Sequence, residues 1–331
     1  MTSNIQKPKQ YTFSKPFIVY RTESENSIIQ ARKISKYILS KFPIETIYIE
    51  KPDEVNIEII YNTEEEKQLR EKYKNIFKTF SPDNEDSDLC IIIGGDGTCL
   101  WANYCYRKNK NPPPLITFHL GFLGYLAIYD INNYKEVFDE LEKGNFVYEK
   151  RNLISSELYK YENDQITNKK KINNYIALNE ILIQRGSSSK MICLNIFMDN
   201  EPLSEVFCDG IIFASPTGST AYSLSAGGPL LHYEVEGLVL SSICPFSLSF
   251  RPIVIPKDIV LSVKIGKSGC EPIVVNDGMI VNKLKIGELI EIRLSDGHLD
   301  FIVLNKFVPN RSVLWKEKIV QSLGWNNAFK H

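Results

Sequence analysis

The segment that most constrains this chain runs Leu89-Cys-Ile-Ile-Ile93 and passes directly into Gly94-Gly-Asp-Gly-Thr98. Five consecutive apolar residues leave no polar face. A strand here must be covered on both sides, as in a parallel sheet flanked by helices. The glycines then end the strand. Gly94, Gly95 and Gly97 let the backbone approach a ligand closely, and Cys99 to Arg107 is patterned as a helix. Such a turn aims successive N–H groups and the positive end of a helix at one point, which is phosphate-binding geometry. Asp96 sits inside it. Its carboxylate can take the proton of a hydroxyl attacking a bound phosphate, or it can simply cap the helix. Neither a P-loop lysine motif nor a strand-linked dinucleotide fingerprint is present.

The rest of the first half alternates strand and helix signals. Phe17–Tyr20, Glu45–Ile49 and Leu115–Phe118 read as strands. Ser27–Ser40 carries Ala31, Ile34 and Ile38 on one helical face, and Thr63–Phe77 reads as a charged helix. This order implies an α/β domain with a parallel sheet. In the second half the period changes to two. Ile192–Met198, Leu261–Ile265, Ile290–Leu294 and Leu299–Val303 alternate, with turns at Asp199–Pro202 and Ser295–Gly297. That pattern implies an antiparallel all-β domain. The expected division is a disordered tail at 1–15, the α/β domain at 16–147, the all-β domain at 148–306 and a C-terminal segment at 307–331. Asn163–Asn174, polar and lysine-rich, is expected to be an exposed loop. In the last segment Ser312 can cap a helix with Trp315, Ile319 and Leu323 on one face. A lone amphipathic helix must bury that face somewhere.

Composition removes several function classes. A net charge of −1 gives no global pull toward nucleic acid or anionic membrane. No run approaches the ~18 apolar residues of a membrane span, and Met1–Ser14 lacks a secretory pattern. The 7 cysteines form no CxxC pair and no zinc spacing, so reduced thiols in a cytoplasmic protein are expected.

Two further stretches carry chemistry. Asp209 to Pro229 is dense in glycine and small hydroxyl residues around Tyr222, and suits a ribose, a phosphate and a base. A flexible serine-rich loop is the bland alternative, though the apolar flanks Ile211–Phe213 and Leu230–Leu231 argue against it. Asn179-Glu180 interrupts an apolar run. Two such groups need partners if buried, and an amide beside a carboxylate can grip both hydroxyls of a ribose; an exposed turn would explain them equally well.

At this point the chain resembles the NAD kinases. Gly94–Thr98, His119–Gly124, Asn179-Glu180, Arg185-Gly186, Asp209-Gly210, Ser215–Tyr222, Ile243–Val254 and Asn276–Gly278 occur in that family's order. The likeness runs from about Phe17 to the C-terminal helix and is nearest to eukaryotic-type members. It implies an open parallel sheet of the Rossmann or flavodoxin kind, an all-β domain, and a C-terminal helix returning to the first domain. It implies Asp96 as catalytic base, with Gly95, Gly97 and Thr98 on the ATP phosphates and Phe122 lining the nucleotide pocket. Asn179 and Glu180 would bind a ribose of NAD, with Arg185, Asp209, Thr220, Ala221, Tyr222, Ser225 and Asp277 completing that site. Phe207 and Cys208, where many relatives are polar or basic, depart from the pattern, as does Asn276 in place of an aromatic.

The implied reaction is in-line transfer of the ATP γ-phosphoryl to the adenosine 2′-hydroxyl of NAD, giving NADP. Mg²⁺ would arrive on ATP, since no dedicated metal-binding set is visible. NAD and ATP are the expected partners, without nucleic acid or membrane, in a homo-oligomer. The rivals are a lipid kinase of the diacylglycerol or sphingosine type and a non-catalytic NAD(P)-binding regulator. Arg185, Lys190 and Arg251 are candidate cations; Arg251, between Phe250 and Pro252, is expected to be buried against a carboxylate or a substrate phosphate.

Overall fold

The computed structural model describes residues 10–326 except 84–85, 110, 122, 162–168, 268 and 309–310. The chain divides into two units, Met1–Glu149 with Leu299–His331, and Lys150–His298.

In the first unit Pro16–Tyr20 (β1), Ile47–Ile49 (β2), Phe77–Thr79 (β3), Leu89–Ile93 (β4) and Leu115–His119 (β5) form a parallel sheet in the order β5-β4-β1-β2-β3. Every residue of β1, β4 and β5 is buried, as their uninterrupted apolar runs require. The two-residue Tyr129–Asp130 (β6) pairs with β5. Helix Glu25–Lys41 buries Ala31, Ile34 and Ile38 in the same core. It starts where the Ser24 hydroxyl accepts the Ser27 amide at 3.3 Å. It stops at Phe42, extended because Pro43 follows. Helix Tyr134–Glu142 adds Val137, Phe138 and Leu141. The C-terminal helix Arg311–Leu323 contributes Leu314, so the lone apolar face finds its burial in this unit.

In the second unit Glu180–Arg185 (β9), Gly210–Ala214 (β12), Gly237–Ile243 (β13), Ile253–Pro256 (β14), Pro272–Asn276 (β16) and Met279–Lys283 (β17) form an antiparallel sheet ordered β14-β13-β12-β9-β16-β17. A second group comprises Phe146–Tyr161 (β7), Lys169–Ala177 (β8), Ile192–Met198 (β10), Glu201–Cys208 (β11), Leu261–Ile265 (β15) and Glu288–Leu304 (β18). Alternate residues of both, among them Ile183, Ile211, Phe213, Leu194, Val263 and Ile292, share one core. The chain passes between the units within β7 and again within β18.

Five expectations need correction. Ser295–Gly297 is not a turn between two strands, because the chain runs through it as the single strand Glu288–Leu304. Residues 10–15 are anchored rather than disordered: Phe13 is 2% exposed, and the Ser14 and Lys15 amides donate to Asp88 at 2.6 and 2.9 Å. Residues 1–9 lie outside the described part. Lys169–Asn174 is strand, not loop, because pairing with β7 satisfies its backbone and Lys171 meets Glu157 across the ladder at 2.5 Å. Thr63–Phe77 breaks into a 3-10 turn, Glu64–Glu66, and a short helix, Lys67–Lys72, with no residue of either buried to extend it. Ser312 lies within the C-terminal helix rather than capping it.

Candidate functional site

A cavity of about 820 Å³ opens at the carboxyl ends of β1, β2, β4 and β5. Its lining is Tyr20–Ser24 and Ser27, Glu50-Lys51, Gly94, Gly95, Gly97, Thr98 and Trp101, and Leu120. Ligands of open α/β sheets bind at this edge. A Cβ on Gly95 or Gly97 would meet nothing within 4 Å, so bare backbone faces open space there. Gly94 differs: a Cβ would fall 2.2 Å from the Thr98 hydroxyl, so glycine lets Thr98 fold back over the strand end. Helix Asp96–Cys105 begins at this turn.

Asp96 does not cap that helix; Gly95 holds the cap position and makes no side-chain cap. The carboxylate instead binds a second segment. Its Oδ2 accepts the Tyr125 amide at 2.9 Å, and its Oδ1 accepts those of Leu126 and Ala127 at 2.8 and 3.4 Å. A carboxylate offers about four lone-pair directions, and these three amides take three of them. Gly124 is required by the same contact, since its Cβ would sit 2.3 Å from Asp96 Oδ1. That explains the second glycine of His119–Gly124. Phe122 lies outside the described residues.

The sequence reading missed the cavity's other walls. Arg21 and Lys51 bring cations. Trp101, 39% exposed, donates its indole N–H to Glu50 at 2.7 Å and stacks on Tyr104. Burial raises the Glu50 carboxyl, against the lowering by Trp101. A signal existed: Trp101 stands one helical turn beyond Gly97-Thr98 on the same face.

In the second unit, Asp277 occupies the β16–β17 turn at φ 45°. Its carboxylate accepts the amides of Leu178, Asn179 and Glu180 at 2.7, 2.8 and 3.2 Å. It thereby fixes the Asn179-Glu180 turn. Glu180 is 9% exposed, and its Oε2 has no partner. Burial, then the Asp277 charge, pushes its carboxyl up to about 7. The hydroxyl-rich stretch wraps this turn and is no floppy linker. Ser215 donates its amide to Asn179 O at 2.8 Å and its hydroxyl to Leu178 O at 2.5 Å. Gly218 packs so closely that a Cβ would lie 2.0 Å from Asn179 O. Thr220 bonds back to Thr217 O at 3.0 Å. Ala221 follows, Tyr222 is 42% exposed, and Ser225 is exposed.

Arg185 and Asp209 form an ion pair at 2.8 Å. They stand at the far end of β9 from Glu180: on β12, Gly210 pairs with Gln184 and Ala214 with Glu180. At ~3.3 Å per residue the two groups are roughly 17 Å apart. Phe207, beside Asp209, is 37% exposed, whereas Cys208 is buried. Asn276 donates to Ile176 O at 2.9 Å and so braces β8. Arg251 corrects an expectation. It is exposed, and its guanidinium donates to Leu248 O and Phe250 O at 2.9 and 2.7 Å. The apolar residues around it do not form an interior, since Phe246 and Leu248 are 73% and 92% exposed. Lys190 is exposed. Among the described residues no group of three His, Cys, Asp or Glu could hold a metal ion, and no helix is long and apolar enough to cross a membrane.

The ATP-NAD kinase N-terminal domain family matches residues 17–146, and the ATP-NAD kinase C-terminal domain family matches residues 178–304. A mitochondrial NADH kinase of Schizosaccharomyces pombe is 35% identical over 245 residues, 73% of this chain and 60% of that protein. An NAD kinase of Methanothermobacter thermautotrophicus is 34% identical over 244 residues, 74% of this chain and 79% of that protein. The crystal structure of yeast NADH kinase complexed with NADH superposes with a TM-score of 0.84 at 26% identity, covering 97% of this chain and 90% of that one. Domain matches on both units, with the glycine turn in one and the Asn179-Glu180 turn in the other, place this chain in the ATP-NAD kinase family.

Proposed function

We propose that this chain transfers the γ-phosphoryl group of ATP to the adenosine 2′-hydroxyl of NAD, making NADP. The observation that carries the reading is the glycine turn whose Gly94, Gly95, Gly97 and Thr98 line an 820 Å³ cavity, with Asp96 inside that turn and held by backbone amides. In this reading the amides of Gly95 and Gly97, the Thr98 hydroxyl, the helix end behind them, and Arg21 and Lys51 meet the donor phosphates. Asn179 and Glu180 hold a ribose of the acceptor, and the ring of Tyr222 packs on it. Thr220, Ala221, Ser225, Asp209 and Arg185 line the acceptor side, with Asp277 holding the turn from behind. The free lone pair of Asp96 takes the hydroxyl proton as the oxygen attacks phosphorus. Phosphoryl transfer needs positioning and charge neutralisation more than covalent catalysis.

Magnesium on the ATP phosphates would supply part of that neutralisation. Among the described residues no group of three His, Cys, Asp or Glu could hold the ion, which fits an ion that arrives with the nucleotide. A homo-oligomer in the cytoplasm completes the proposal.

A lipid acceptor is disfavoured because the match to the ATP-NAD kinase C-terminal domain family, residues 178–304, spans the Ser215–Tyr222 stretch. The test is product analysis with ATP or polyphosphate as donor and NAD, NADH or diacylglycerol as acceptor. A 2′-phosphorylated dinucleotide from ATP is expected; no such product, or phosphorylated lipid alone, overturns the reading.

A further inference from the structure

The C-terminal helix buries a residue that its amphipathic pattern does not mark. Lys318 is 1% exposed, among the largest fully buried side chains of the protein. An ammonium is costly to bury without strong partners. Its Nζ donates to the carbonyl oxygen of Tyr125 at 2.5 Å. The other end of that same peptide group is the Leu126 N–H, which donates to Asp96 Oδ1 at 2.8 Å. One peptide unit therefore lies between a buried cation and the carboxylate. Both bonds are charge-assisted and polarise the peptide in the same sense, so each strengthens the other. Apolar anchoring of the helix is already provided by Leu314 and Ile319, 8% and 7% exposed. A leucine or methionine at 318 would anchor it equally, without desolvating a charge.

We propose that Lys318 is a positioning residue for phosphoryl transfer. Through the Tyr125–Leu126 peptide it holds the Asp96 carboxylate in one orientation, and it puts a positive charge one peptide away from it. The C-terminal helix is thereby part of the transfer machinery and not only a cover for the sheet. The inference rests on Asp96 being the reacting carboxylate.

Lys318→Met keeps the apolar stem and removes the donor; Lys318→Arg keeps charge and donors. In the full chain, Lys318→Met should lower kcat for NADP formation about 10- to 100-fold, the scale seen when a partner behind a reacting group is removed. KM for ATP and NAD should change little, and Lys318→Arg should recover most of the lost kcat. Amide hydrogen exchange at Tyr125–Ala127 should quicken in Lys318→Met, while the amides of β1 keep their native protection. Native kcat in Lys318→Met overturns the inference, as does a loss expressed only in KM. Unaltered exchange at Tyr125–Ala127 overturns it whatever Asp96 does. If Lys318→Met does not fold, Lys318→Arg decides: near-native kcat supports the inference and a strongly reduced one overturns it. Full activity of Asp96→Asn in the same assay refutes the reading of Asp96 instead, a failure the exchange data tell apart.

Discussion

Asp96 and Asp277 do the same structural work, each gathering three successive backbone amides from a segment remote in sequence. A short acceptor-only side chain suits this, because it holds strand ends in place without filling the space a ligand needs. The Asp277 charge also bears on Glu180. With burial, it raises that carboxyl from 4.5 to about 7, so the folded chain prefers the neutral form. The stability from that group is complete below the unfolded value and is lost as pH rises through about 7. Glu180→Gln cannot ionise. In urea melts it should therefore match the native protein in acid and exceed it in mild alkali by on the order of 1–3 kcal/mol. A difference that does not vary with pH contradicts this. Tyr222→Ala should weaken NAD binding by about 1–3 kcal/mol while leaving ATP binding nearly unchanged, as for a ring packed on one ligand; equal losses in titration calorimetry would mean the ring does not serve the acceptor. Asp96 was legible as chemistry because it sits in a glycine turn that ends a buried strand, and Asn179 and Glu180 because they interrupt an apolar run. The Tyr125–Ala127 amides were not, since only the fold joins them to Asp96, and Asp277 was named through the family resemblance without its bonds to Leu178–Glu180.

The strand ends organise what the residues do. Glycine turns stand where a tether passes too close for any Cβ, and two of them give sharp tests. Gly124→Ala would drive a methyl to 2.3 Å from Asp96 Oδ1, and Gly218→Ala to 2.0 Å from Asn179 O. Each should cost a few kcal/mol, on the order of an overpacked core site. Gly124→Ala should act mainly on kcat, and Gly218→Ala mainly on KM for NAD. The opposite assignment in steady-state kinetics would mean the two turns serve other substrates. The uninterrupted runs of β1, β4 and β5 could be read directly, because burial on both faces leaves a plain record. β8 could not: its lysines and asparagines look like loop until the partner strand supplies hydrogen bonds and acidic neighbours. Nor could Arg21 and Lys51, which become cavity walls only because parallel strands place their carboxyl ends side by side.

At the scale of the molecule, the chain's two changes of period, from helix–strand alternation to period-two strands and then to a lone helix, match its two units and the return of its C-terminus to the first. Net charge of −1 leaves anion binding to local devices, the glycine turn and a few cations. In the proposed reaction Asp96 is the group on which transfer turns, so the direct test is kcat for NADP formation by Asp96→Asn. The variant turns an amide NH₂ toward an N–H donor, at a cost of about 1–3 kcal/mol, so both proteins are compared well below their melting temperatures. The expected result is a kcat about 10²- to 10⁴-fold lower, the usual worth of a positioned base, with ATP still bound. A folded Asp96→Asn enzyme that makes NADP at close to the native rate would contradict it.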